Sequence, residues 1–224
     1  MANELVFFFY SFVVAAAALG ALWLSYEALV ALVCVEIVLM NLFVTKEILL
    51  CGFVATAADV LGIGVALALN IIQEYYGAER AKRAMWLGFG AALLYVFFSL
   101  LHCSYFPAPA DTMHGHFAIL LTPMPRIIFA SLITFVIAQT VDRQLYAFFK
   151  RVWHGGYFIA RNELSLILSQ LLDTVLFSFL GLYGVISDLG SMIVVSYFVK
   201  IVSILLAVPF LWIARTLFPR ASRT

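Results

Sequence analysis

The chain is dominated by apolar segments long enough to cross a lipid bilayer as helices. The segment from Leu5 to Leu24, for example, carries no charged residue, and about 20 such residues span the hydrocarbon core. Hydrophobic residues make up 65% of the 224 residues and charged residues 11%, whereas soluble domains hold about 25% charged residues. Transmembrane β-strands are short and alternate in polarity. The sequence therefore predicts an all-α polytopic membrane protein.

Seven segments qualify as spans, which predicts a bundle of six to seven transmembrane helices with seven favoured. Only the turn from Ser25 to Glu27 separates the first two segments, so a six-helix alternative stays open. Residues 1–224 are expected to form a single integral membrane domain. The predicted spans are Asn3–Leu24, 28–46, 51–73, 84–105, 126–148, 163–185 and 190–214.

Basic residues predict the orientation, because cytoplasmic loops of membrane proteins are rich in Lys and Arg. Alternating spans place three basic clusters on the same side, which puts the N-terminus outside and the C-terminus in the cytoplasm. The clusters are Arg80, Lys82 and Arg83; Arg143, Lys150, Arg151 and Arg161; and Arg215, Arg220 and Arg223.

Several functional classes lack their sequence signals. The patterns GxxxxGK[ST], HExxH and GxSxG are missing, so we expect no nucleotide-binding segment, no enzyme activity and no cofactor. The net charge of +1 gives no reason to expect a nucleic-acid partner. His114 and His116 have only weak metal-ligand spacing, and no metal is expected. Cys51 and Cys103 fall near the same outer face, so a disulfide between them stays open.

The segment from Arg161 to Leu180 combines apolar length with a buried acid, Asp173. A carboxylate at that depth costs about 2.5–3.5 kcal/mol on insertion scales, and such residues are functional by default. Ser169 and Asp173 share a helix face because they stand four residues apart. Lys200 lies about ten residues into the next span, at a similar depth. Asp173 and Lys200 are therefore predicted either to form a substrate site or to be an ion pair that only packs helices.

Other polar residues of the spans are weaker candidates. Asn41 and Gln170 suit either a binding site or hydrogen bonds between helices. Arg126 at the outer edge could extend its side chain towards water. Asn70, Glu74 and Asp142 lie towards the cytoplasmic ends of their spans, where a solvated boundary charge is the alternative interpretation for the two acids. Gln139 lies next to the face of its span that carries Asp142.

A combination of motifs resembles the bacterial queuosine-precursor transporters, also described as vitamin uptake transporters. The resemblance covers about residues 35–215, and Asn70 departs from the Asp that is usual in the family. The matching motifs are Asn41 with Lys46, NIIQEYYGAERAKR, RIIFASLITFVIAQTVD, the run from Arg161 to Phe177, and Lys200 with Pro209.

This resemblance implies uptake of a 7-deazaguanine base, such as queuine or its cyano or aminomethyl precursor, across the bacterial cytoplasmic membrane for tRNA modification. A carboxylate such as Asp173 accepts paired N–H donors from a guanine-like edge, and Lys200 orients that carboxylate. Gln170, Asn41 and Gln139 would add hydrogen bonds. Asn70, Glu74 and Asp142 would form the cytoplasmic gate or an ion-coupling region.

Two alternatives stay open at this point. One is the substrate-binding subunit of an energy-coupling-factor importer for another vitamin, which requires separate transmembrane and ATPase partners. The other is a membrane enzyme or scaffold whose buried charges only pack helices. A homodimer is also open, because Gly88 and Gly90 permit close contact between helices without specifying a partner.

Overall fold

The computed structural model describes residues 2–153 and 158–202, apart from some side chains in this range. Its first half contains four long helices and one β-hairpin. The end of the last predicted span, residues 203–214, and the basic residues Arg215, Arg220 and Arg223 lie outside the described residues. The elements of this half are α1 (Ala2–Leu24), α2 (Tyr26–Phe43), β1 (Glu47–Leu50), β2 (Phe53–Thr56), α3 (Asp59–Tyr76) and α4 (Ala78–Cys103).

The second half is also helical. Asp188 caps the helix that begins at Leu189, because its carboxylate accepts hydrogen bonds from the Ser191 hydroxyl (2.5 Å) and amide (3.0 Å). These bonds hold the pKa of the Asp188 carboxyl below its usual range. The elements are α5 (His114–Leu121), α6 (Met124–Val152), α7 (Phe158–Phe177), a π-helical turn (Ser178–Leu182) and α8, which is described from Leu189 to Val202.

The prediction that residues 51–58 begin a helical span is wrong, because this segment belongs to a β-hairpin. Glu47 pairs with Thr56 and Leu50 with Phe53 in an antiparallel register. Cys51 and Gly52 form a two-residue turn with φ of 51° and 86°, the positive values that tight hairpin turns require. The helix therefore starts at Asp59, whose carboxylate lies in its first turn, where a negative charge is favourable.

The predicted charged loop before residue 84 is also partly helical. Gly77 adopts φ of 93° and separates α3 from α4, which begins at Ala78. Arg80 therefore lies in the first turns of α4, with its guanidinium over the rings of Tyr26 and Tyr76.

Helices α1 and α2 run antiparallel, with Ser25 as the turn between them. The Ser25 hydroxyl accepts a hydrogen bond from the Ala28 amide (3.1 Å) and so caps α2. Both Val14 and Glu36 face Gly64 of α3. Val14 lies eleven residues before Ser25, and Glu36 lies eleven residues after it. This symmetry about the turn supports separate crossings by α1 and α2.

One end of the bundle gathers the start of α1, the hairpin and the segment before α8. The Asn3 amide donates to the Leu49 carbonyl (2.9 Å), and the Cys51 amide donates to Glu4 (3.1 Å). Glu47 accepts hydrogen bonds from the amide (2.7 Å) and hydroxyl of Ser187. At another contact, the Tyr26 hydroxyl donates to the Arg80 carbonyl (3.3 Å). These contacts agree with the predicted alternation of the spans.

Among the described residues, four helical segments are long and apolar enough to cross a membrane. The predicted all-α membrane bundle is thus confirmed, while the choice between six and seven spans stays a prediction. The four segments are Asn3–Leu24, Tyr26–Phe43, Ala78–Cys103 and His114–Phe149, and shorter apolar helices cover Ile167–Leu182 and Leu189–Val202.

Small residues let the helices of the first half approach one another. Gly64 faces Glu36 Oε1, and a Cβ built on Gly64 would lie 2.5 Å from that atom. Gly88 of α4 faces the side chain of Ile37 of α2. Gly88 therefore allows close contact between two helices of the same chain, whereas a Cβ at Gly90 would have no neighbour within 4 Å.

We expect Gly64→Ala to destabilise the protein by about 1–3 kcal/mol, the usual cost of overpacking a core. The matched variant Gly90→Ala should be neutral or slightly stabilising, because alanine favours helix and the site has room. Thermal unfolding of the two purified variants in detergent measures the difference. Equal midpoints would contradict the close packing of α1, α2 and α3 at Gly64.

Candidate functional site

A carboxylate–lysine cluster, formed by Asp59, Asp173, Ser196 and Lys200, joins three helices. Lys200 Nζ of α8 lies 2.5 Å from Asp173 Oδ2 of α7. One turn earlier on α8, the Ser196 hydroxyl donates to the two carboxylate oxygens of Asp59 (3.1 and 3.0 Å). Ser196 and Lys200 share a face of α8 because they stand four residues apart. The cluster therefore brings two carboxylates and one ammonium group together.

Lys200 interacts with both acids of the cluster. Besides its ion pair with Asp173, its positive charge attracts the Asp59 carboxylate. Thr56, at the end of β2, lies beside the same carboxylate. The hairpin thus completes one side of the cluster, which explains how a short strand takes part in a helical site.

The ion pair keeps part of its surface exposed. The side chains of Asp173 and Lys200 are 22% and 35% exposed, respectively. A pair sealed completely in side-chain packing would leave no room for another hydrogen-bonding group. The pair is therefore only partly enclosed by the surrounding side chains.

A second polar contact lies one turn away on α7. The Ser169 hydroxyl is 3.4 Å from Asp142 Oδ1 of α6, and Ser169 precedes Asp173 by four residues on the same helix face. Polar side chains therefore follow one another from α6 through α7 to α8 and α3. Tyr197 of α8 adds a hydrogen bond from its hydroxyl to the Ile167 carbonyl of α7 (3.2 Å).

The structure brings some predicted site residues together and leaves others apart. Asp173 and Lys200 are paired, and Gln170 is half-buried one turn before Thr174, whose hydroxyl bonds the Gln170 carbonyl (2.8 Å). Asn41 is buried and donates to the Ile37 carbonyl of its own helix (2.7 Å), which uses one of its donors locally.

The remaining candidates lie on α3 and α6. Asn70 and Glu74 are half-buried near the C-terminal end of α3. Arg126 is exposed, and its Nε donates to the Leu180 carbonyl in the π-helical turn (2.8 Å). Gln139 belongs to α6, but its side chain lies outside the described part of the structure.

Asp59 and Ser196 were not predicted as site residues. Asp59 was expected inside a span that started at residue 51, which would place it away from any helix end. The Cys51–Gly52 pair between two apolar runs was the available signal for a hairpin. For Ser196, the signal was its spacing of four residues from Lys200.

A cavity of about 240 Å³ lies in the loop after α4, away from the carboxylate–lysine cluster. Its lining contains His102, Asp111 and His114 but no residue of the cluster. No group of three or more potential ligands is arranged for a metal ion among the described residues. The three cysteines are free, so the predicted alternative of a Cys51–Cys103 disulfide is not seen.

The apolar helices and the paired charges between them define a multi-pass membrane protein. The family described as "Putative vitamin uptake transporter" matches residues 56–214, which include every residue of the carboxylate–lysine cluster. A protein of Bacillus subtilis (strain 168) named "Probable queuosine precursor transporter" is 30% identical over 189 residues, covering 82% of each chain. No solved structure matches the chain.

The chain belongs to this transporter family, which confirms the resemblance drawn from its motifs. Membership of this family implies that the protein lies in a membrane and that its substrate is a small molecule.

Ser196→Ala should lower the free energy of unfolding by about 1–3 kcal/mol, because it removes a hydrogen-bond partner of the Asp59 carboxyl group. Ser104→Ala is the matched control, since Ser104 is exposed and bonds only within its own turn through Leu101 among the contacts described. Thermal unfolding in detergent compares the variants. A Ser196→Ala protein as stable as the control would show that the contact does not hold α8 against α3.

Proposed function

We propose that the protein takes up a queuosine precursor, a 7-deazaguanine base, across the bacterial cytoplasmic membrane. The observation that carries the proposal is the partly exposed ion pair between Asp173 and Lys200, joined through Ser196 to Asp59. The relative from Bacillus subtilis, by its name, supports this substrate class. In this proposal the chain acts as one transporter domain, without catalytic residues.

The chemistry of the cluster suits a flat, polar base. A guanine-like edge presents adjacent N–H donors, which a carboxylate accepts with its two oxygens. Such charge-assisted bonds are roughly twice as strong as neutral ones. Asp173 accepts these donors, and Lys200, released from part of its contact with Asp173, donates to an acceptor of the base.

Asp59 keeps Lys200 compensated while the base is bound. If Asp173 turned to a ligand without another acid nearby, the ammonium group would lose its counter-charge in an apolar region, which is costly. Lys200 and the Ser196 hydroxyl both favour the ionised form of Asp59, and in that form Asp59 supplies the counter-charge. If Lys200 exchanges Asp173 for Asp59 as its counter-charge, the site can open and close at a low cost in free energy.

Further contacts extend the site along α6 and α7. Gln170 lies on α7 one turn from Asp173 and has room to contribute an amide. Gln139 and Asn41 are the other amides assigned to the base. Asp142, which contacts Ser169, belongs with Asn70 and Glu74 to the cytoplasmic gate, and Arg126 borders the outer entrance.

Substitutions of the ion pair separate a binding role from a packing role. The test uses cells that cannot make the precursor, supplied with it in the medium, and measures queuosine in tRNA at matched expression. Asp173→Asn and Lys200→Met should each reduce queuosine at least tenfold. The double variant keeps neither charge of the ion pair, and Asp59 keeps its contacts with Ser196 and Thr56, so it should be more stable than either single variant but remain equally inactive. The controls Asp111→Asn and Lys82→Met change exposed residues of the same types.

Recovery of transport in the double variant would contradict the proposal. Removing one partner of a buried pair destabilises a protein because the other charge is left uncompensated, and removing both relieves that cost. A purely structural pair predicts this recovery, whereas a substrate-binding pair predicts none.

A further inference from the structure

Glu36 is a buried acid that the carboxylate–lysine cluster does not use. It lies ten residues after the start of α2 at Tyr26, about 15 Å along an 18-residue helix, which is close to the middle of the span. Only 3% of its surface is exposed. Ionisable residues at such positions are rare and mark ion or proton pathways.

The carboxyl group of Glu36 has no compensating partner among the described residues. Its Oε2 is fully buried and accepts no hydrogen bond. Val14 of α1 and Gly64 of α3 face it. Tyr10 of α1 is the titratable group that interacts with it electrostatically, and no described charged side chain of α3, α4 or α6 does so. An isolated ionised carboxylate in an apolar interior is so unfavourable that the group takes up a proton instead.

The carboxyl group of Glu36 has room because the neighbouring residue of α3, Gly64, has no side chain. A Cβ at Gly64 would lie 2.5 Å from Glu36 Oε1, so any larger residue would displace the acid. Glycine inside a helix costs about 0.5–1 kcal/mol relative to alanine. Helix α3 therefore has a residue of low helix propensity at the point where α2 places an acid.

Helix α3 also connects Glu36 to the carboxylate–lysine cluster. Its first residue, Asp59, contacts Ser196 of α8, and Gly64, five residues later, faces Glu36. A displacement of α3 that alters the contacts of Asp59 also changes the enclosure of Glu36. Binding at the cluster and the protonation of Glu36 are thus linked through one rigid element.

We infer that Glu36 is a proton-binding site through which substrate uptake is coupled to proton entry. A proton from the outer side binds a carboxylate oxygen of Glu36, is carried in the enclosed state that the structure describes, and leaves to water on the cytoplasmic side. No other bond is made or broken. The inference rests on the proposed function.

The test uses vesicles that contain only the full-length protein, with labelled queuine and its two biosynthetic precursors as probes. An acidic outside should raise the initial uptake by the wild-type protein several-fold over equal pH, and uptake should acidify the lumen. Glu36→Gln has the shape of the protonated acid but cannot release a proton. It should keep exchange of labelled for unlabelled base at equal pH and lose the stimulation. Glu79→Gln, at an exposed position of α4, should keep both.

The inference would be overturned if the pH gradient stimulated uptake by Glu36→Gln. It would also be overturned if uptake by the wild-type protein were the same with and without the gradient. If the wild-type protein transports none of the three bases, the proposed function fails instead. Infrared spectroscopy supplies a measurement that does not depend on transport. The wild-type protein should show the C=O band of a protonated carboxyl group near neutral pH that Glu36→Gln lacks. A wild-type protein without that band would also overturn the inference.

Discussion

Lys200 needs a counter-charge wherever it lies within the apolar bundle, and the arrangement of three helices follows from that need. Asp173 of α7 pairs with it directly, while Asp59 of α3 attracts it and bonds Ser196 one turn away. Lys200 is thus paired with one acid and attracted by a second. The cluster therefore places polar contacts between the apolar helices α3, α7 and α8.

The hairpin and Gly64 position the rest of the molecule around this cluster. Two strands between α2 and α3 pair with each other in an antiparallel register and are followed by Asp59 in the first turn of α3. Ala55 of the hairpin packs against Val195 and Val199 of α8, which holds the two halves of the chain together. On another face of α3, Gly64 admits the acid of α2.

The sequence predicts the class of the fold and the central pair well, because apolar length and mid-span charge are local properties. Asp173 and Lys200 could be placed at one depth by counting residues, and the structure joins them. The site's third helix could not be found this way. It depends on the turn at Cys51 and Gly52, whose positive φ values convert an apparent helix into a hairpin. Contacts between distant segments, such as Ser196 with Asp59, carry no signal in a single sequence beyond helix spacing.

The proposed function requires Asp173 and Lys200 to exchange their mutual contact for contacts with a flat, nitrogen-rich base. Binding of labelled queuine to the purified protein in detergent, measured directly at equilibrium, tests it most simply. We expect saturable binding of one base per chain, displaced by the cyano and aminomethyl precursors but not by unrelated vitamins. Lack of saturable binding of any of these bases by a folded protein, or equal displacement by unrelated vitamins, would contradict it.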